Sequence, residues 1–138
     1  MKILLDINVI LDIFLDRAPH VVASSAVWVA IEKGHASGVL AGHAVTTIHY
    51  ILKSERGGAV ARNTVESMLR VLGVASVDTQ VVHRALQFGW TDFEDAVTAA
   101  SAESARCQAI ISRDPKGFQH SPVRVLSPEA ARPLLERP

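Results

Sequence analysis

The chain opens on a continuous apolar run, Ile3-Leu4-Leu5, that stops at Asp6 and then changes period, with Val9, Ile10, Ile13 and Phe14 recurring at helical spacing. An apolar run without alternation marks a strand covered on both faces, and the change of period marks a helix. Asp6 to Asn8 is the predicted turn between them. Arg17-Ala18-Pro19 breaks the pattern, and His20 to Lys33 reads as a second helix, with Val21, Ser24, Ser25, Trp28 and Ile31 on one side and Gly34 ending it. Ser37 to Ala41 is a short strand. A helix from about Ala44 to Arg56 follows and stops at Gly57-Gly58; another spans Ala59 to Leu72, closed by Gly73, before a brief apolar strand at Val74 to Val77.

The second half repeats the alternation. Asp78-Thr79 caps a helix through Val81, Val82, Ala85 and Leu86 to Gly89. Trp90-Thr91-Asp92-Phe93-Glu94-Asp95 is a carboxylate-dense turn into an Ala-rich helix from Ala96 to Arg106. Gln108 to Ser112 is a buried strand that ends, like the first, beside an acid, in Arg113-Asp114-Pro115. Val123 to Leu126 is the last strand, and Ser127-Pro128-Glu129 starts a terminal helix with a cap followed by proline. Strands alternating with helices predict one α/β domain over residues 1–138, a three-layer α/β/α sandwich around a mainly parallel sheet.

Composition narrows the function classes. Hydrophobic residues make up 49% of the 138 and charged residues 20%, which excludes a disordered chain. Fourteen basic residues balance fourteen acidic ones, so nucleic-acid binding would need a local basic patch. The single cysteine, Cys107, excludes a disulfide framework and fits a reducing cytoplasm. Asp6, Asp12 and Asp16 interrupt the apolar N-terminus, so it does not read as a signal peptide, and no apolar stretch is long enough to cross a bilayer.

The acids carry the chemistry. In a parallel sheet ligands sit outside the carboxyl ends of the strands, where both Asp6 and Asp114 fall. A helix antiparallel to the Gln108 strand, rising about 1.5 Å per residue, brings its N-terminal Asp95 to the same edge. Converging carboxylates repel and raise one another's pKa, so a cation is expected among them. Oxygen-only ligands favour Mg²⁺ or Mn²⁺, whose chemistry suits phosphodiester hydrolysis. The plainer reading makes Asp92, Glu94 and Asp95 complements to a helix dipole and Asp114 a turn residue.

Three blocks, Leu5-Asp-Ile-Asn-Val-Ile-Leu-Asp, Asp92-Phe-Glu-Asp-Ala-Val-Thr-Ala-Ala and Ile110-Ile-Ser-Arg-Asp-Pro-Lys-Gly-Phe, resemble in order and spacing the hallmark blocks of PIN domains, the metal-dependent ribonucleases found in VapC-type toxins of toxin–antitoxin systems. The resemblance implies a Mg²⁺- or Mn²⁺-dependent endoribonuclease in which Asp6, Asp95 and Asp114 bind metal, Asn8 is the polar residue beside the first acid and Ser112 the hydroxyl before the last. It also implies a homodimer and an antitoxin partner entering the active-site groove. One departure stands out: Thr47 occupies the place of a further acid, usually Glu, on the helix after the second strand. A subgroup of PIN domains resembles this chain in that loss. Asp92, Glu94 or a nearby His are the candidate substitutes, and Asp92 joins the candidate ligands; His43, one turn before Thr47, is assigned no role.

Phosphate contacts would fall to Lys53, Arg56, Arg62, Arg113 and Lys116, the last two flanking Asp114. Aromatic residues are only 5%, which favours a grip on the backbone of a structured RNA over base stacking along a single strand. Apolar helices at Val21 to Ile31 and Ala59 to Leu72 are candidates for interface surface. The competing enzyme reading, a haloacid-dehalogenase-type phosphatase with Asp6 as nucleophile, meets Asn8 where a general acid is required. The non-enzymatic alternative is a PIN-fold binding module, catalytically impaired by the loss at Thr47.

Overall fold

The computed structural model describes residues 1–136. Strands β1 (Lys2–Leu5), β2 (Ser37–Ala41), β3 (Gly73–Ala75), β4 (Ala109–Ile111) and β5 (Arg124–Leu126) form one sheet in the order β3-β2-β1-β4-β5. Every pairing in it is parallel. Helices α1 (Ile7–Phe14) and α2 (His20–Glu32) join β1 to β2, α3 (Gly42–Arg56) and α4 (Gly58–Met68) join β2 to β3, α5 (Thr79–Phe88) and α6 (Phe93–Ser104) join β3 to β4, and α7 (Pro128–Leu135) closes the chain.

The period of two along each strand divides the core. Ile3, Leu5, Leu40 and Ile111 point to the layer built by α1 to α4 and α7, whereas Leu4, Val39, Ala41 and Ile110 point to the layer built by α6 and the 3₁₀ turn Pro115–Phe118. Both sets are apolar, so the strands read as unbroken hydrophobic runs and the sandwich has three layers. A smaller cluster of Val81, Ala85, Ala96, Val97 and Ala100 seals α5 onto α6. Gly38 lets Ile31 and Leu72 pack close over β2: a Cβ there would stand 2.7 Å from both Ile31 Cδ1 and Leu72 Cδ2, so both side-chain ends would have to shift.

Several boundaries differ from those read in the sequence. No separate turn spans Asp6 to Asn8: α1 starts at Ile7 with Asp6 as its N-cap, Oδ1 accepting the Ile7 N–H at 2.9 Å. The buried side of α2 is Ala23, Ser24, Val27, Ala30 and Ile31, and Trp28 sits half-buried, edge-on to Phe14 at 5.3 Å. Helix α4 ends at Met68, and β3 takes in Gly73 but not Val77. Gly73 pairs with Val39 in the ladder, while Val77 turns inward toward α5 and α6; sheet pairing, absent from local sequence, fixes the register. Among the described residues no helix is long and apolar enough to cross a membrane.

The chain runs outward from β1 to β2 and β3, then returns to place β4 and β5 on the other side of β1. The sheet therefore has its topological switch between β1 and β4, and the register Leu5↔Ile111 sets Asp6 beside Ser112 at that point. A ladder-like bond, Asp6 N–H to Ile111 C=O at 2.9 Å, continues the pairing to the acid itself.

Candidate active site

Asp6 is buried, with 6% of its surface exposed, at the carboxyl end of β1. Its Oδ2 accepts the Ser112 hydroxyl at 2.8 Å, and Ser112 Oγ in turn accepts the Asp114 N–H at 3.1 Å. One hydroxyl thus ties two strand ends and two acids together. Burial pushes the Asp6 carboxyl above the usual carboxylate range, against the lowering by the Ser112 and Ile7 hydrogen bonds; Glu94 adds to the rise and His43 opposes it.

Asp95 enters from α6. Asp92 caps that helix, its Oδ1 accepting the Asp95 N–H at 3.0 Å, so the helix begins with Asp95 held over the sheet edge. Burial, then the charges of Asp92, Asp6, Glu94 and Asp114, push Asp95 up to about 7. Asp114 follows β4 and is itself exposed. The 3₁₀ turn after it brings up Gly117, where an added Cβ would stand 3.1 Å from Asp95 Oδ2 and 3.2 Å from Asp114 Oδ2. Two carboxylates therefore converge on a cradle that exists because residue 117 has no side chain. Gly117→Ala is expected to leave folding nearly intact and to weaken divalent-ion binding about tenfold, some 1.4 kcal/mol, by prying those oxygens apart; Mn²⁺ titration of the variant, with its melting temperature, checks both parts.

The structure thus brings Asp6, Asp95 and Asp114 to one edge, with Ser112 between the first and last. Asn8 serves the frame: its Oδ1 accepts the Arg113 N–H at 3.2 Å. Thr47 turns its hydroxyl to the His43 carbonyl of its own helix at 3.4 Å. His43 lies closer to the site than its sequence position suggested. Its Nε2 is 3.4 Å from Thr98 Oγ1, which donates to the Glu94 carbonyl, and its Nδ1 is buried with no hydrogen-bond partner among the described residues.

The donor set fits a hard divalent cation. It consists of carboxylate oxygens alone, mutually repelling and partly desolvated, with the cradle at Gly117 open to them. However, no three or more carboxylate, imidazole or thiolate groups among the described residues stand close enough together to hold a metal ion, so the acids would have to draw together around one.

Of the candidate cations, Arg113 does not face the recess. Its guanidinium grips Asp12, Nε to Oδ2 at 2.7 Å and Nη2 to Oδ1 at 3.3 Å. Asp12, wholly buried in α1, is the residue the sequence reading missed; the available signal was its spacing of four from Asn8. Arg62 pairs with Glu66 on α4, and Lys53 and Arg56 are exposed near the end of α3. Lys116 lines an open recess of about 440 Å³ with Trp90, Asp92, Asp95, Asp114 and His120. A hollow of about 490 Å³ between α2 and α7 contains none of these acids.

An all-parallel α/β sandwich with carboxylates gathered at the switch point of its sheet defines the class of protein. A sequence profile of the PIN domain matches residues 2–116, and the chain belongs to the PIN domain family. No curated protein matches it in sequence. Among solved structures it resembles VapBC2 from Rickettsia felis bound to a DNA fragment from their promoter, with a TM-score of 0.70 at 12% identity over 92% of this chain and 98% of that one. FitAcB from Neisseria gonorrhoeae superposes with a TM-score of 0.67 at 21% identity, covering 92% and 98%. VapC20 of Mycobacterium tuberculosis, a Sarcin-Ricin loop cleaving toxin, gives 0.64 at 14% identity, covering 78% and 86%.

Proposed function

We propose that this PIN domain is a Mg²⁺- or Mn²⁺-dependent endoribonuclease and the toxin of a toxin–antitoxin pair. The observation that carries the reading is the convergence of Asp6, Asp95 and Asp114, from three separate elements, on one sheet edge, where Ser112 links Asp6 to the Asp114 amide and Gly117 leaves Asp95 and Asp114 facing one gap. Such a set is relieved by a bound cation. Asp6, Asp95 and Asp114 would hold the ion, with Asp92 at the rim of the recess as a further donor. When bound, the ion supplies water activation and charge stabilisation at a phosphoryl oxygen.

The chain's own residues do the rest. Ser112 fixes the Asp6 carboxylate through Oδ2 and Asp114 through its amide; Asn8 anchors the segment between them. Lys116 is placed to meet an RNA phosphate at the mouth of the recess. The similar proteins include a toxin–antitoxin complex from Klebsiella pneumoniae, which supports an antitoxin partner for this chain as well, seated over the acid groove. A homodimer is the assembly expected from the same likeness. RNA as substrate and a lone buried cysteine, whose thiol burial keeps protonated, both agree with a cytoplasmic setting.

Titration with Mn²⁺ followed by electron paramagnetic resonance tests the metal centre. Saturable binding to the wild type and at least tenfold weaker binding to Asp6→Asn is the expected outcome. Equal affinities for the two proteins would rule Asp6 out as a ligand, and no binding to the wild type would remove the centre altogether.

A further inference from the structure

Asp12 sits in α1 with 0% of its surface exposed, an expensive place for a carboxylate. Its partners are Arg113, through the two-pronged contact at 2.7 and 3.3 Å, and Arg17, with Nη1 at 3.7 Å. One helical turn earlier, Asn8 Oδ1 accepts the backbone N–H of the same Arg113 at 3.2 Å. Residues four apart share one face of a helix, so α1 holds Arg113 twice, by main chain and by side chain. Arg113 stands between Ser112, which is bonded to Asp6, and Asp114.

We propose that the Asp12–Arg113 pair is a positioning device that sets where the Asp114 carboxylate stands relative to Asp6. An ion pair between a buried carboxylate and a guanidinium that keeps 36% of its side-chain surface exposed is a weak source of net stability, because the desolvation of Asp12 offsets an attraction that solvent screens, so its presence calls for a reason other than stability. The planar fork of a guanidinium on a carboxylate fixes direction as well as distance, and Lys cannot reproduce it. Here the fork spans the sequence from residue 12 to residue 113 and fastens α1 to the turn that carries Asp114. The inference rests on the reading that Asp6 and Asp114 share a metal ion.

Two variants test it by Mn²⁺ titration. Arg113→Lys keeps a positive charge for Asp12 but loses the fork; the double variant Asp12→Asn with Arg113→Gln replaces the ion pair by a neutral one of similar shape. Both are expected to fold, to bind Mn²⁺ about tenfold more weakly, and to lose about tenfold in kcat on RNA with KM unchanged, since neither residue lines the recess where Lys116 is proposed to meet phosphate. A role confined to holding the fold together would leave metal affinity as it is in any variant that folds. Mn²⁺ binding by the wild type with equal binding by both variants overturns the positioning role and leaves the nuclease reading standing; no binding by the wild type overturns both. Amide exchange in the unsubstituted protein gives an independent check. The Arg113 and Asp114 amides are expected to exchange about 100-fold more slowly than those of an open loop, and open-loop rates would overturn the proposal even if neither variant folds.

Discussion

Asp95→Asn is expected to lower RNA cleavage about 10³-fold while raising the stability of the metal-free protein at neutral and alkaline pH. The two effects have one cause. Losing an anionic ligand of a catalytic ion removes several kcal/mol of charge stabilisation, and each 1.36 kcal/mol is tenfold in rate. Without the ion, however, Asp95 is a crowded carboxylate held at about 7 by burial and four acidic neighbours, against about 3.9 in an unfolded chain. Between those values the native state binds the extra proton, so wild-type stability falls as pH climbs from about 4 through about 7. Asparagine does not titrate and escapes that loss. Because Asp95 is only partly buried, solvent screening cuts the full shift to roughly 1 kcal/mol, or about 3–5 °C in melting temperature. Thermal melts in EDTA at pH 8 should show the variant above the wild type, with the gap closing near pH 4. A gap independent of pH would show that Asp95 is not strained by its neighbours.

Arg113→Ala is expected to cost about 3 kcal/mol, lowering the melting temperature by about 10 °C. It leaves the Asp12 carboxylate buried with only Arg17, 3.7 Å away, in attendance. Stranding one member of a buried ion pair typically costs about 3–5 kcal/mol, and Arg17, together with the 36% exposure of the Arg113 side chain, places this case at the lower end. Urea denaturation provides the measurement: the midpoint should fall with the slope unchanged. A midpoint at the wild-type value would mean that Arg17 and solvent suffice for the Asp12 carboxylate once Arg113 is gone.

The sheet was legible because its signals are local. Each strand core is a short apolar run, and four of the helices start on a side chain that captures a backbone N–H, Asp6 with Ile7, Asp78 with Val81, Asp92 with Asp95 and Ser127 with Ala130. The meeting of Asp6, Asp95 and Asp114 was legible for a related reason: strand ends and helix starts in an α/β chain fall on a predictable edge. What stayed hidden depends on distant partners. Arg113, read as a hand for phosphate beside Asp114, turns to an aspartate 101 residues earlier in the chain. The role of Gly117 is invisible locally, since a glycine in Pro-Lys-Gly-Phe reads as turn chemistry, and only the two carboxylates beside it show what its missing side chain permits. Gly73 likewise ends a helix by local rules but joins β3, because Val39 offers it a ladder partner.

Thr47 is where sequence and geometry together sharpen the functional question. Its hydroxyl is turned to its own helix, so a metal centre here would have to work with the acids that follow β1, begin α6 and follow β4. Incubation of the purified protein with a mixed RNA pool and Mn²⁺ or Mg²⁺, with EDTA and Asp95→Asn as controls, measures that directly. Cleavage that both controls abolish is the predicted result. An intact RNA pool after incubation with folded, partner-free protein carrying bound Mn²⁺ would contradict it and leave a PIN-fold binding module in its place.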